Sequence, residues 1–310
     1  MSEPTLAPEF EAMCVSLAEA PPIPTLSVEA ARGMWSAYLI GEREPIGEIR
    51  DLQIEGPVSR LDARLYRPQG PCAGVILFIH GGGWVLGDIG THDIAVTGLV
   101  RRSGCAILSL NYRLAPETPF PGGLEDCFAA LCQLDEQRAE LGFADVPLFV
   151  AGDSAGGNLA AALSILARDR GGPVIDGQIL LYPVTDGRRN QPSYSERGTG
   201  SLLTAADMEW FWTHYAPGDT ALNPLASPLL CASLTNLPPA VVATAEFDPL
   251  RDEGRKYAVR LRQAGVACTE LHFQDMPHGF LTSYQISPSA DQAVTVIAGA
   301  IRDLAGAATE

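Results

Sequence analysis

The chain has 310 residues, 46% of them hydrophobic, enough to bury a large core, and its 37 acidic and 21 basic residues give a net charge of -16. So acidic a surface repels phosphate backbones and anionic headgroups at long range, which argues against nucleic acid as a partner and against stable membrane association. No apolar stretch approaches the length of a membrane span, and Met1-Ser2-Glu3-Pro4 lacks the positive start and apolar run of a secretory signal, so a soluble cytoplasmic protein is expected. Cysteines at 14, 72, 105, 127, 132, 231 and 268 contain no Cys-x-x-Cys pair, a spacing that suits neither a disulfide framework nor a zinc site.

Residues 8–18 and 27–40 have helical periodicity and are separated by Ala20-Pro21-Pro22-Ile23-Pro24. They carry Met34, Trp35 and Tyr38 and read as cap helices, making residues 1–45 an N-terminal cap segment. Alternation over 47–54 and 61–66, with Gly56-Pro57 between, predicts a half-solvated hairpin. From Gly74 the pattern changes. Val75-Ile76-Leu77-Phe78-Ile79 is continuously apolar, and similar runs recur at 105–110, 146–151, 178–182 and 240–245. Helical stretches near 92–102, 122–141, 155–169 and 250–264 lie between them, and this alternation predicts a mostly parallel sheet with helices on both faces. A last strand, Cys268 to Gln274, and a last helix near 289–305 close the domain. The catalytic unit thus spans 46–186 and 233–310. It is interrupted by 187–232, an insertion rich in aromatics (Trp210-Phe211-Trp212, Tyr215) that reads as a lid packed with the N-terminal helices.

Gly152-Asp153-Ser154-Ala155-Gly156-Gly157 joins the strand at 146–151 to the helix at 155–169. A serine at the apex of so tight a turn needs neighbours two before and two after that have almost no side chain, and Gly152 and Gly156 supply them, presenting Ser154 as a nucleophile. His80-Gly81-Gly82-Gly83-Trp84 follows another strand, and its bare amides at Gly82 and Gly83, with that of Ala155, are the expected donors to an oxyanion. A serine hydroxyl needs a base and the base needs a carboxylate. Of the histidines at 80, 92, 214, 272 and 278, His278 lies in the loop after the last strand, where a parallel sheet puts its functional groups, whereas His80 is read as bracing its loop. Asp248 sits just past a strand end and also suits a helix N-cap before Pro249. Asp252 and Glu253 fall in the next helical turn, where acids are common because they suit the dipole. The chain order is Ser154, Asp248, His278.

With HGGGW at 80–84, YRLAPE at 112–117, GDSAGG at 152–157, DPLRDE at 248–253 and HGF at 278–280, the chain resembles the hormone-sensitive-lipase-like esterases of the α/β-hydrolase fold. The resemblance implies an eight-stranded sheet, a helical cap built from the N-terminus and the insertion, and the triad Ser154, Asp248 and His278 with an oxyanion hole of Gly82, Gly83 and Ala155. It further implies a small-molecule ester substrate with a short- to medium-chain acyl group and no metal or organic cofactor. Trp84, Met34, Trp35, Tyr38, Trp210 and Phe211 are the expected wall of the acyl pocket. Leu271 and Phe273 alternate with polar neighbours on the final strand, an expected sheet edge through which a homodimer would form. Two readings compete: an amidase or arylformamidase using the same triad, and a ligand-binding receptor on the same scaffold, which the presence of His278 opposes.

Overall fold

Short runs of branched and aromatic residues form the strands, and the computed structural model, which describes residues 3–37 and 41–309, pairs eight of them into one sheet. These are β1 (Glu48–Glu55), β2 (Arg60–Arg67), β3 (Val75–Ile79), β4 (Ala106–Leu110), β5 (Leu148–Asp153), β6 (Gly177–Leu181), β7 (Ala240–Phe247) and β8 (Cys268–Pro277). Their order is β1-β2-β4-β3-β5-β6-β7-β8, with β2 antiparallel to both neighbours and every pairing from β4 to β8 parallel. The half-solvated hairpin is present as β1 and β2. β3 to β6 are buried along their whole length, as their unbroken apolar runs require.

Nine α-helices are found among the described residues: α1 (Pro8–Leu17), α2 (Val28–Ala37), α3 (Ile89–Ser103), α4 (Gly122–Glu136), α5 (Ala155–Arg170), α6 (Pro192–Glu196), α7 (Ala205–Tyr215), α8 (Arg251–Gln263) and α9 (Pro288–Thr309). Successive residues of β3 feed opposite faces of the sheet. Val75, Leu77 and Ile79 join a core covered by α4, α5 and α8, whereas Ile76 and Phe78 join one covered by α3 and α9. No helix among the described residues is long and apolar enough to cross a membrane.

The insertion 187–232 carries α6 and α7, and its ends are clasped: the Gly187 amide donates to Ser227 Oγ at 2.7 Å, and that hydroxyl donates to the Ala221 carbonyl at 2.6 Å. The two N-terminal helices separate, contrary to the expectation that both pack with the insertion. Ala31 of α2 enters the same core as Phe211 and Trp212 of α7. Phe10 of α1 is buried instead in the α3/α9 core, and the helix is tethered there by Ala7 N to Asp275 O at 3.0 Å and Ser287 Oγ to Glu9 Oε1 at 2.5 Å. Apolar spacing marks a helix face but does not say which side of the sheet it covers.

Candidate active site

Ser154 stands between β5 and α5 with φ 56° and ψ -117°, a strained conformation for a residue with a side chain. The reason for its flanking glycines is steric: a Cβ on Gly156 would overlap the carbonyl oxygen of Ile79, and one on Gly152 would lie 2.6 Å from the same oxygen. The turn is fastened to β6, with Ser154 N donating to Leu181 O at 2.8 Å and Val184 N to Ser154 O at 3.2 Å. Asn158, one turn into α5 and fully buried, donates to Val184 O at 2.9 Å and to Ala226 O at 2.8 Å, joining the turn to the insertion.

His278 directly follows β8, which runs three residues beyond its expected end. Its Nε2 lies 2.9 Å from Ser154 Oγ and its Nδ1 2.7 Å from Asp248 Oδ2. With Nδ1–H donating to the carboxylate, Nε2 is left to accept the serine proton. Asp248 is wholly buried, and its other oxygen accepts the Leu250 amide at 2.8 Å. It is therefore fixed by a turn preceding α8 and is not the helix N-cap, a position taken by Leu250. Tyr182, at the end of β6, sets its ring edge-on against His278 with centroids 4.8 Å apart.

The amides of Gly82, Gly83 and Ala155 have no acceptor among the described residues. Gly82 and Gly83 belong to the glycine loop and Ala155 to the first turn of α5, whose dipole adds positive potential. The loop is held at both ends by the 112–117 motif: Tyr112 Oη donates to His80 O at 3.0 Å and Ala115 N to Trp84 O at 2.9 Å. Arg113 in turn forms an ion pair with buried Asp126, 2.6 Å between Nη2 and Oδ1. Arg32 of α2 reaches in from outside. Its Nε donates to Val85 O at 2.9 Å, and its Nη1 and Nη2 grip both oxygens of Glu117 at 2.8 Å.

Beneath the loop lies a buried ionisable cluster. Asp153 Oδ1 accepts the Gly81 amide at 2.9 Å, and His92 Nε2 lies 3.2 Å from the same oxygen, a charge contact without hydrogen-bond alignment. Burial opposes charge on both, but their mutual attraction wins: the Asp153 carboxyl is held below its usual range and the His92 imidazole above its own. His80 stacks on Tyr112 at 4.5 Å between centroids, and burial with His92 nearby brings its pKa down to about 4. As expected, it braces its loop rather than facing Ser154.

The family model for the alpha/beta hydrolase fold matches residues 76–282. The carboxylic ester hydrolase LipN of Mycobacterium tuberculosis is 43% identical over 263 residues, 82% of this chain and 70% of that protein. The carboxylesterase NlhH of the same organism is 36% identical over 94% of this chain and 96% of its own. This chain belongs to the hormone-sensitive-lipase-like carboxylesterase family of the α/β-hydrolase fold. A solved hyperthermophilic esterase of that fold, from Pyrobaculum calidifontis, is similar at 38% identity and a TM-score of 0.90, covering 97% of this chain and 99% of its own.

Within this family frame the expected pocket residues lie in different settings. Phe211 lies against the glycine loop, where a Cβ on Gly83 would penetrate its ring. Trp210 is half-buried and packs on Phe211 and His214, and Met34 and Trp35 are half-buried on α2. Trp84 does not form an open wall: it is 1% exposed and stacked on Tyr215 at 4.1 Å and 6° between ring planes, a wedge locking the loop to α7. Tyr38 lies outside the described residues. Glu253 corrects a simpler expectation, because it is fully buried and accepts the amides of Thr185 at 2.6 Å and Asp186 at 3.2 Å, so its place in the first turn of α8 is not merely a response to the helix dipole.

Proposed function

We propose that this chain is a serine carboxylesterase that hydrolyses short- to medium-chain acyl esters through an acyl-enzyme. The observation that carries the reading is the continuous relay of 2.9 Å and 2.7 Å contacts from Ser154 through His278 to Asp248, together with three amides that have no acceptor among the described residues. His278 takes the Ser154 proton as Oγ attacks the ester carbonyl, and Asp248 steadies the imidazolium. The developing oxyanion is met by the amides of Gly82, Gly83 and Ala155. His278 then gives its proton to the leaving alkoxide, and in the second half-reaction activates the water that releases the acid. α2 with α6 and α7 forms the cap, and Phe211, Trp210, Met34 and Trp35 border the acyl chain.

A phosphonate ester tests the chemistry, because it forms a stable adduct with an activated serine. Labelling of Ser154 alone, with turnover of acyl esters far exceeding that of matched anilides, is the expected result; labelling elsewhere or faster anilide cleavage sinks the esterase reading. We further propose a homodimer through β8, which is the sheet edge and bears half-buried Leu271 and Phe273. Light scattering that finds a monomer at micromolar concentration removes it. All seven cysteines are free, which suits a reducing compartment and favours the cytoplasm.

A further inference from the structure

Away from Ser154, a cavity of about 860 Å³ runs along the seam between the insertion and α8. In a chain where acids outnumber bases by 37 to 21, this groove reverses the balance: Arg188, itself paired to buried Asp186 at 2.8 Å, and Arg255, Lys256, Arg260 and Arg262 line it against Asp252 and Glu270. The acids are already engaged. Glu270 is shared by Arg255 at 3.3 Å and Arg262 at 2.8 Å, and Asp252 is bonded to Arg251 at 2.8 Å. Among the described residues Lys256 and Arg260 make no ion pair. Lys256 bonds to the amide oxygen of Gln191, and Arg260 bonds to the carbonyls of Leu229 and Cys231. Lys256 is the one lysine of the chain. The floor of the groove is apolar, with Leu229, Leu230 and Val259, the last 42% exposed.

Surplus cations beside an uncovered apolar strip describe a receptor for a molecule with both characters. We propose that this groove binds an amphiphilic anion, a carboxylate or phosphate head held by Lys256, Arg255 and Arg260 with a short alkyl chain laid over Val259 and Leu230. Guanidinium groups match either head by paired hydrogen bonds, and the chain gains by removing apolar surface from water. Arg188, Gln191 and Leu230 belong to the insertion whereas Lys256 and Val259 belong to α8, so an occupant spans the seam. None of the lining residues belongs to the triad, and the proposal stands whether or not Ser154 is a nucleophile.

Calorimetric titration of the full chain with octanoate, octyl phosphate, octanol, acetate and inorganic phosphate tests it. Octanoate or octyl phosphate should bind at least about tenfold more tightly than either octanol or the tailless anions, and the tighter of the two identifies the preferred head. The double variant Arg255→Gln, Lys256→Gln changes two exposed side chains. It should weaken that binding about tenfold or more while leaving the kcat of a short acyl ester unchanged. Binding that is equal in the variant, that octanol reproduces, that inorganic phosphate matches, or that is absent from the wild-type chain overturns the proposal.

Discussion

The Phe211 ring occupies the space into which a side chain on Gly83 would project. One member of this pair is on the insertion and the other on the amide loop, so the insertion rests directly on the groups that would receive the oxyanion. Arg32 and Trp84 fasten the same loop from α2 and to α7, and its geometry therefore depends on three segments far apart in sequence.

Gly83→Ala should therefore lower kcat on an acetyl ester by about 100-fold or more, the usual loss when one oxyanion donor is displaced. Adding Phe211→Ala makes room for the new methyl group. The double variant should recover part of the loss, although alanine at φ 60° keeps a backbone cost of about 1 kcal/mol. A double variant no better than the additive expectation from the two single variants would show that steric contact with Phe211 is not what excludes a side chain at Gly83.

Asp248 is buried and Asp252 half-buried, and only Asp248 touches His278. Asp248→Asn should lower kcat by about 10⁴ by analogy with the triad aspartate of serine proteases, since the imidazole loses its oriented partner. Asp252 accepts the Ser193 amide at 2.9 Å, so Asp252→Asn should cost stability and less than about tenfold in kcat. Steady-state kinetics of the two purified variants decide between them, and a reversed order would reassign the acid.

The His80 pKa of about 4, below its ordinary 6.5, sets a pH window for stability. Between these values the unfolded chain takes up a proton that the folded chain refuses, so stability falls as pH drops from 6.5 toward 4. His92 has the opposite shift and contributes stability that is full below pH 6.5 and lost as pH rises through its folded value. The two windows do not overlap. Urea unfolding at a series of pH values should show His80→Gln with a shallower acid slope than the wild type, by up to about 1.4 kcal/mol per pH unit. Parallel slopes would mean that His80 is protonated as readily in the folded chain as in the unfolded one.

Much of this was legible in the sequence because it is local. Continuous apolar runs announced the central strands, and the two glycines around Ser154 announced the turn, since steric need and residue type coincide there. The partners of the amide loop were not legible: Arg32 meets Glu117 across 85 positions, and nothing in either neighbourhood marks the pair. Glu253 failed differently. An acid in a first helical turn has the same sequence signature whether it faces water or, as here, the amides of Thr185 and Asp186. The sequence neighbourhood of Trp84 points to the pocket, but its burial against Tyr215 depends on where α7 crosses the loop.

The position of α7 also bears on substrate size. Trp84 is taken up in packing, so on the proposed function the acyl chain is bordered by buried Phe211 and half-buried Trp210 on α7 and by half-buried Met34 and Trp35 on α2. Ser154 is 8% exposed and His278 9%, so the approach to their side chains is narrow. Each methylene drawn out of water adds about 0.8 kcal/mol, and kcat/KM should climb along the acyl series until these side chains are covered, then fall as further carbons clash or stay wet. By the family resemblance the maximum should lie at roughly four to eight carbons, where the gain of about 0.8 kcal/mol per carbon ends. Phe211→Leu, which shortens the wall while still covering Gly83, should shift the maximum toward longer chains. Measurement of kcat/KM for acyl esters of increasing length, kept below their solubility limits, checks both statements. A steady rise through long-chain esters, or activation by emulsified triglyceride, would mean that α7 swings clear of the loop to open a lipase-like surface, and the contact between Phe211 and Gly83 would then not limit the acyl chain.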